Sequence, residues 1–314
     1  LSRILLILAA TGRLFAQSSS TASPYELHYL AGGVRPSGDG APAIHSSFEP
    51  TGELVSGTDG TLYLYDRSAR AVRAVGPDGI LREYAHNVPG DAGLAIDEQN
   101  RVVYSASDGH VVRTDTTTGK ATILAGARRR GLSDGMASID LAAFPRDLAL
   151  ARDGSLYFTD WEGTIGRIMP SGEFRLIGGN RREGTAQVGV LASQSPLQSP
   201  RDVELDGEGR VYFIEFLANR IWRIELDGRL ELLVDLAVLQ RRPEFMGSGP
   251  LTARVLPCLS VTAQGNIYFV NRHLKAVMRR SAAGDFTLVA GGGMRALAPG
   301  VEAQIGRASC RERV

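Results

Sequence analysis

Arginine clusters are the first candidates for chemistry in this sequence, because they recur at similar places between apolar segments. Two arginines directly precede an acid, in Arg146-Asp147 and Arg201-Asp202. Three clusters follow short apolar runs: Arg128-Arg129-Arg130, Arg181-Arg182 and Arg241-Arg242. The planar fork of a guanidinium group fits carboxylate, sulfate or phosphate groups. These nine arginines therefore predict a surface that binds an anionic partner, whereas the alternative interpretation is that they lie in solvated loops balanced by nearby acids.

Three acids, Glu53, Asp147 and Asp202, allow a second kind of chemistry. Carboxylate oxygens are the ligands that a hard cation such as calcium prefers, so three of them could form a metal site. However, Arg146 and Arg201 stand beside two of these acids and would repel a cation. We therefore expect Arg–Asp pairs there, and the sequence predicts no metal and no cofactor, with calcium at this position kept as the alternative.

Other catalytic patterns are missing from the sequence. It contains no Gly-x-Ser-x-Gly, His-Glu-x-x-His or phosphate-binding loop motif. The five histidines have no zinc-like spacing: His28, His45, His86, His110 and His273. His110 and His273 follow second apolar runs, in turns that we expect to point away from a central site.

A repeat of about fifty residues must position the arginines and acids. A tyrosine in the second apolar run of each unit recurs at spacings of 41, 53, 55 and 56 residues: Tyr63, Tyr104, Tyr157, Tyr212 and Tyr268. About ten residues later an arginine closes a third run: Arg73, Arg113, Arg167, Arg223 and Arg279. Self-similarity at such a period is typical of repeat architectures, including propellers.

The clearest unit covers residues 200–234 and contains four short apolar runs. Asp206-Gly207 and Asp227-Gly228 separate two pairs of these runs. Asp-Gly between alternating apolar residues is a strong hairpin signal. Each unit is therefore expected to be a four-stranded antiparallel meander.

Counting strands predicts six blades. Five units give twenty strands, and residues 25–31 resemble one further fourth strand without the three that should precede it. In a closed ring, such a strand completes the blade that is begun at the other end of the chain, which removes an exposed edge. We therefore expect an all-β, six-bladed β-propeller over residues 25–304, with the last blade truncated at the C-terminus.

These units resemble NHL repeats. The NHL pattern Pro-x-Gly-apolar-Ala-apolar-Asp-x-x-Gly-x-apolar-Tyr is matched in part by residues 145–168 and 200–224. The Gly-rich stretch at 31–43 is similar to the linker of secreted bacterial and teneurin-like NHL proteins. The resemblance implies a propeller whose inner strands begin at a central channel mouth, where Glu53, Asp147, Asp202, Arg146 and Arg201 would lie. At low resolution the pattern is also similar to gluconolactonase-like propellers.

The two ends of the chain depart from the repeat. Arg3, the apolar run at 4–10 and the small residue Ala16 are typical of a secretory signal peptide at 1–16, followed by a polar linker at 17–24. The alternative is a buried amphipathic segment, and the run is too short for a stable membrane span. Back-translation of residues 305–314 resembles a sequencing adapter, so we expect this tail to be an artefact and the natural protein to continue past Gln304.

The preferred function is a secreted or periplasmic, monomeric binding module that recognises an extracellular protein or an acidic glycan through its arginine-rich loops. The net charge of +1 and the lack of aromatic residues among the arginines argue against nucleic acid. The alternative is a propeller hydrolase of the lactonase type, or a lyase, with its site at the channel mouth.

Overall fold

The computed structural model describes residues 39–90, 92–126, 135–138, 144–239, 241 and 256–291. These residues form five antiparallel sheets, each with four strands in sequence order. The expectation of an all-β propeller is confirmed, but the prediction of six blades was wrong for the described residues, which form five. The expected strand at 25–31 and the tail at 305–314 lie outside the described residues.

Each blade is a meander of consecutive strands. The first contains β1 (Pro50–Ser56), β2 (Leu62–Asp66), β3 (Ala71–Val75) and β4 (Leu81–Ala85). The second contains β5 (Ala92–Asp97), β6 (Val102–Ser107), β7 (His110–Asp115) and β8 (Ala121–Ala125). The third contains β9 (Pro145–Leu150), β10 (Leu156–Asp160), β11 (Ile165–Ile168) and β12 (Phe174–Gly178). The fourth contains β13 (Pro200–Leu205), β14 (Val211–Glu215), β15 (Arg220–Ile224) and β16 (Leu230–Asp235). The fifth contains β17 (Leu259–Val261), β18 (Ile267–Asn271), β19 (Ala276–Arg280) and β20 (Phe286–Gly291).

Helical structure in the described residues is limited to one turn, α1 (Leu236–Leu239), and short 3-10 turns at Ala43–His45 and Ala192–Gln194. None of these is long and apolar enough to cross a membrane.

Tight turns set the register of the meanders. Between β15 and β16, Gly228 takes a left-handed φ of 83°, which is costly for any residue with a Cβ atom. The Asp227 carboxylate accepts a hydrogen bond from the Arg229 backbone N–H at 3.0 Å. Asp-Gly therefore closes the hairpin as its sequence predicts.

Apolar side chains are buried between neighbouring blades. At the seam between the third and fourth blades, Tyr157 and Ile165 pack with Val203, Phe213 and Trp222. Similar clusters fill the seams between the first and second, second and third, and fourth and fifth blades. The second strands β2, β10 and β14 are buried along their whole length. Each inner strand contacts the inner strand of the next blade, from β1 through β5, β9 and β13 to β17.

The repeated tyrosine and arginine face each other across β6–β7, β10–β11, β14–β15 and β18–β19. In the first blade, however, Tyr63 pairs with Ala74, and Arg73 pairs with Leu64. Arg73 therefore occupies the position that Trp222 holds in the fourth blade, opposite Phe213. The arginine repeat is thus one residue out of register in the first blade.

Candidate functional site

A pocket of about 380 Å³ opens at the seam between the third and fourth blades. We call it the Trp161 pocket. The β10–β11 turn, the loop before β13, the first residues of β13 and the β14–β15 turn contribute its lining: Trp161, Glu162, Gly163, Leu197, Ser199, Arg201, Phe216 and Leu217. The turns between second and third strands thus lie at the same end of the blades as the loops after fourth strands. We call this end the loop face. Two of these turns, in the third and fourth blades, line the pocket, whereas His110 and His273 are not among its lining residues.

Two predicted arginines, Arg146 and Arg201, meet aromatic rings in this pocket. The Arg146 guanidinium carbon lies 3.6 Å from the centroid of Trp161. The Arg201 guanidinium carbon lies 3.5 Å from the Phe216 centroid and 5.9 Å from that of Trp161. Arg146 also donates a hydrogen bond from Nη1 to Ser199 Oγ at 3.3 Å. Cation–π contacts of this kind fix the guanidinium planes, so the pocket has a preformed basic and aromatic wall.

Trp161 stands at the opening of the pocket. Its side chain is 55% exposed, which is unusual for such a large apolar residue, and the neighbouring Leu217 is 50% exposed. Phe216, in contrast, is only 2% exposed and forms part of the base. The pocket therefore offers an accessible apolar surface next to two guanidinium groups.

Arg181 lies beside the pocket, where it pairs with the lining residue Glu162. Its Nη2 atom lies 2.7 Å from Glu162 Oε2 and 3.8 Å from Asp160 Oδ2. Asp160 is fully buried, and burial raises the pKa of its carboxyl to about 6 despite the opposing effects of the Glu162 backbone N–H and Arg181. One of the predicted anion-binding arginines is therefore already paired with acids of the same blade.

The acids Asp147 and Asp202 tie consecutive blades together. Asp147 accepts a hydrogen bond from the Val203 backbone N–H at 2.6 Å, and Asp202 accepts one from the Leu259 backbone N–H. The repeated tyrosines Tyr157 and Tyr212 pair with Ala149 and Glu204 on the inner strands, and each acid lies two residues before that partner. Glu53 holds the same position on β1, but its side chain lies outside the described part of the chain.

The surroundings of Asp147 and Asp202 disfavour a calcium ion without excluding one. One oxygen of each carboxylate accepts a backbone hydrogen bond, and an arginine adjoins each acid in sequence, so a positive charge lies near both. Within the described ranges, no three His, Cys, Asp or Glu side chains converge as metal ligands would. We therefore derive no chemistry through a metal at this place.

Glu204 is a titratable residue that the sequence did not single out. It lies on the inner strand β13, next to Val203, whose backbone binds Asp147. Burial, reinforced by the negative charge of Asp147, raises the pKa of the Glu204 carboxyl to about 8. A carboxyl that keeps its proton at neutral pH is a group that acid–base catalysis can use.

Two other predicted arginines, Arg182 and Arg241, are exposed and do not line the pocket. Arg128, Arg129, Arg130 and Arg242 lie outside the described residues, so the expected ring of arginines is not visible as a whole. Among the predicted arginines that the structure describes, Arg146, Arg181 and Arg201 lie at or beside the pocket.

Trp161 and Phe216 are the pocket residues that sequence reasoning missed. Both directly follow the acid that ends a second strand, Asp160 or Glu215. The corresponding residues in the first and fifth blades are Arg67 and Arg272. Aromatic residues at one repeat position in adjacent units were the signal that could have located this site.

Comparison with known proteins gives the fold but no family. No protein-family model matches the sequence, and no curated protein matches it, so the NHL assignment is not confirmed. Solved structures do match. A nidogen–laminin complex is 15% identical, covers 73% of this chain and 75% of that chain, and has a TM-score of 0.50. Regucalcin, a calcium-binding protein from Agrobacterium tumefaciens, is 18% identical, with 75% and 72% coverage and a TM-score of 0.50.

A virginiamycin B lyase from Staphylococcus aureus, solved with quinupristin, is also similar, at 18% identity, 75% and 68% coverage and a TM-score of 0.46. At such identities the similarity establishes a β-propeller fold alone, because propellers of one architecture have many unrelated functions.

Proposed function

We propose that this propeller binds a small anionic ligand, of the acidic-sugar class, in the Trp161 pocket. The observation that carries the proposal is the stack of Arg146, Trp161, Arg201 and Phe216 in a concave site between two blades. A guanidinium that stacks by its face directs its N–H groups along its plane, where a carboxylate or sulfate can accept two hydrogen bonds. The exposed Trp161 surface fits the apolar face of a sugar ring.

The size of the pocket supports a small ligand. Its volume of about 380 Å³ lies at the low end of the range for small-molecule sites, and mixed polar and apolar walls are typical of them. A monosaccharide, or one residue at the end of an acidic glycan, is of suitable size. In the extracellular setting that the N-terminal sequence predicts, such glycans are the expected source of the ligand.

Calorimetric titration with sodium D-glucuronate tests the proposal, with D-glucose as the neutral comparison. We expect glucuronate to bind more tightly than glucose, and its affinity to fall as salt is added because screening weakens charge pairing. Arg201→Ala should reduce glucuronate affinity about tenfold, the effect of losing one charge-assisted contact. Arg241→Ala removes an exposed arginine outside the pocket and is the matched control. Equal affinity for both sugars, or equal loss in both variants, would refute the proposal.

Hydrolysis or elimination at the channel is the second candidate, and Glu204 is the observation that favours it. With its pKa raised to about 8, Glu204 holds a proton at neutral pH and can act as a general acid. A lactone such as glucono-δ-lactone is the first substrate to assay, by following acid release. Glu204→Gln should abolish any turnover, whereas Arg241→Ala should leave it unchanged; turnover that survives Glu204→Gln would remove this candidate.

A further inference from the structure

In the first and fourth blades, the acid at the end of the second strand receives two sets of hydrogen bonds. In the first blade, Asp66 Oδ1 accepts from the backbone of Glu49 and Ser68, and Asp66 Oδ2 accepts from Arg73 Nε at 3.4 Å. In the fourth blade, Glu215 Oε1 accepts from the Gln198 backbone N–H, and Oε2 from Trp222 Nε1 at 2.8 Å. The second donor comes from the same third-strand position in both blades.

The third blade lacks that second donor. The equivalent position is Gly166, which pairs with Phe158 and has no side chain to donate. A side chain could not be accommodated there, because its Cβ atom would collide with the rings of Phe158 and Phe174. Asp160 Oδ1 accepts from the Glu162 backbone N–H, but Asp160 Oδ2 is buried without a hydrogen bond. An unpaired buried carboxylate oxygen is costly and calls for an explanation.

Arg181 is the cation nearest to this oxygen. At 3.8 Å from Asp160 Oδ2, it is within electrostatic range but too far for a hydrogen bond. Arg181 simultaneously pairs with Glu162, which lines the pocket. The Thr164 side chain, in the turn before β11, is also near enough to the carboxyl to lower its pKa. Arg146 and Arg201 carry the further positive charges of the region, around the Trp161 ring.

We infer that Asp160 is a positioning residue of the Trp161 pocket: its carboxylate adds to the attraction that keeps Arg181 beside Glu162, and proton uptake by that carboxyl weakens this attraction and favours an anionic ligand near Arg181. The class of ligand in this inference rests on the proposed function. The coupling of Asp160 to Arg181 and to the neighbouring Trp161 is independent of that function. Arg146, Arg181 and Arg201 together with Asp160 and Glu162 carry a net charge of +1 when Asp160 is ionised and +2 when it is protonated. Anion affinity should therefore increase under mildly acidic conditions.

The raised pKa of Asp160, about 6, places this transition between neutral and mildly acidic pH. One additional positive charge near the ligand corresponds to about a fivefold gain in affinity between about pH 7.5 and pH 5, since the partly exposed site screens the interaction. Glucuronate remains ionised throughout this interval, so its own titration does not contribute.

Asp160→Asn is the decisive variant, because asparagine keeps the oxygen that accepts from the Glu162 backbone and removes the titratable charge. Two readouts are needed: glucuronate affinity at about pH 7.5 and pH 5, and tryptophan fluorescence against pH in the ligand-free protein, where Trp161 adjoins Asp160. Asp66→Asn, which changes the equivalent acid in the first blade, is the matched control. Arg181→Met tests whether the arginine transmits the effect.

We expect the fluorescence of the native protein and of Asp66→Asn to change with a midpoint near pH 6, and this transition to be missing from Asp160→Asn. Glucuronate affinity of Asp160→Asn should equal the higher, acidic value at both pH values, and Arg181→Met should bind weakly with no pH dependence. A transition that persists unchanged in Asp160→Asn would overturn the inference. If the transition depends on Asp160 and Arg181 but glucuronate does not bind, the inference stands and the proposed ligand class fails.

Discussion

At one position of the third strand, different residue types in different blades donate the same hydrogen bond from a similar backbone. Arg73 in the first blade and Trp222 in the fourth have little in common chemically, yet each donates one hydrogen bond to the acid that ends the second strand. In the third blade Gly166 stands at that position and has no side chain to donate a hydrogen bond, and burial raises the pKa of Asp160 to about 6. Burial also raises the pKa of Glu215, although Trp222 donates to it, so the missing donor adds to an effect that burial already produces.

Glu204 allows a stability prediction at this scale. Its pKa is raised to about 8 in the folded chain, above the ordinary glutamate value that applies when the chain is unfolded. The folded state therefore holds more protons than the unfolded state between those values, and the free energy of unfolding should fall as pH rises through that interval.

Glu204→Gln should remove this slope and increase stability by about 1 to 3 kcal/mol at about pH 8.5, with little change near pH 4, where both forms are neutral. Urea unfolding at several pH values measures the effect. A variant whose stability depends on pH as steeply as that of the native protein would contradict the assignment.

Side-chain-to-backbone hydrogen bonds connect the inner strands of consecutive blades. Asp147 and Asp202 each accept a backbone N–H of the following blade. At the equivalent position on β5, Gly93 approaches the backbone of Asp147 so closely that a Cβ atom would lie 2.9 Å from the Asp147 Cα atom. The inner strands are thus connected at the ends that face the Trp161 pocket.

Asp147→Ala should cost about 1 to 3 kcal/mol of unfolding free energy, because the buried Val203 N–H loses its acceptor. Asp147→Asn keeps a carbonyl oxygen at this place and should cost less. Denaturant titrations at about pH 6, where Glu204 is protonated, provide the comparison. Equal losses in the two variants would show that charge, not the hydrogen bond, is what the strand requires.

Strands were the part of the structure that sequence patterns predicted well. The expected run at 211–214 became β14, Val211–Glu215, because a short continuous apolar run bounded by turn residues is typical of a fully buried strand. The shifted position of Arg73 could not be foreseen, since a one-residue offset in a third strand leaves the composition of the run unchanged. The Trp161 pocket was missed because its two turns are far apart in sequence and meet only when blades pack side by side.

In the described part of the molecule, the apolar core is divided into separate clusters, four of which fill the seams between blades. Second strands are buried on both faces, whereas the outer strands β8 and β20 are mostly exposed or half-buried. Local opening should therefore begin at the rim and reach the second strands last.

Hydrogen exchange followed by mass spectrometry should show the slowest exchange in peptides that contain β10 and β14, and faster exchange in those that contain β8 and β20. The expected difference is about a hundredfold or more, since rim strands open locally while buried strands exchange through larger unfolding. Uniform protection across each blade would mean that the blades open as units.

The Trp161 pocket spans a seam, and this location has a mechanical consequence. Its walls belong to the third and fourth blades, which are otherwise joined by side-chain packing and a few inner-strand contacts. A ligand that touches both walls would act as a clamp across the seam. Pulling the chain apart from its two ends should then require more force to separate these two blades when the pocket is filled, while the other seams yield as before.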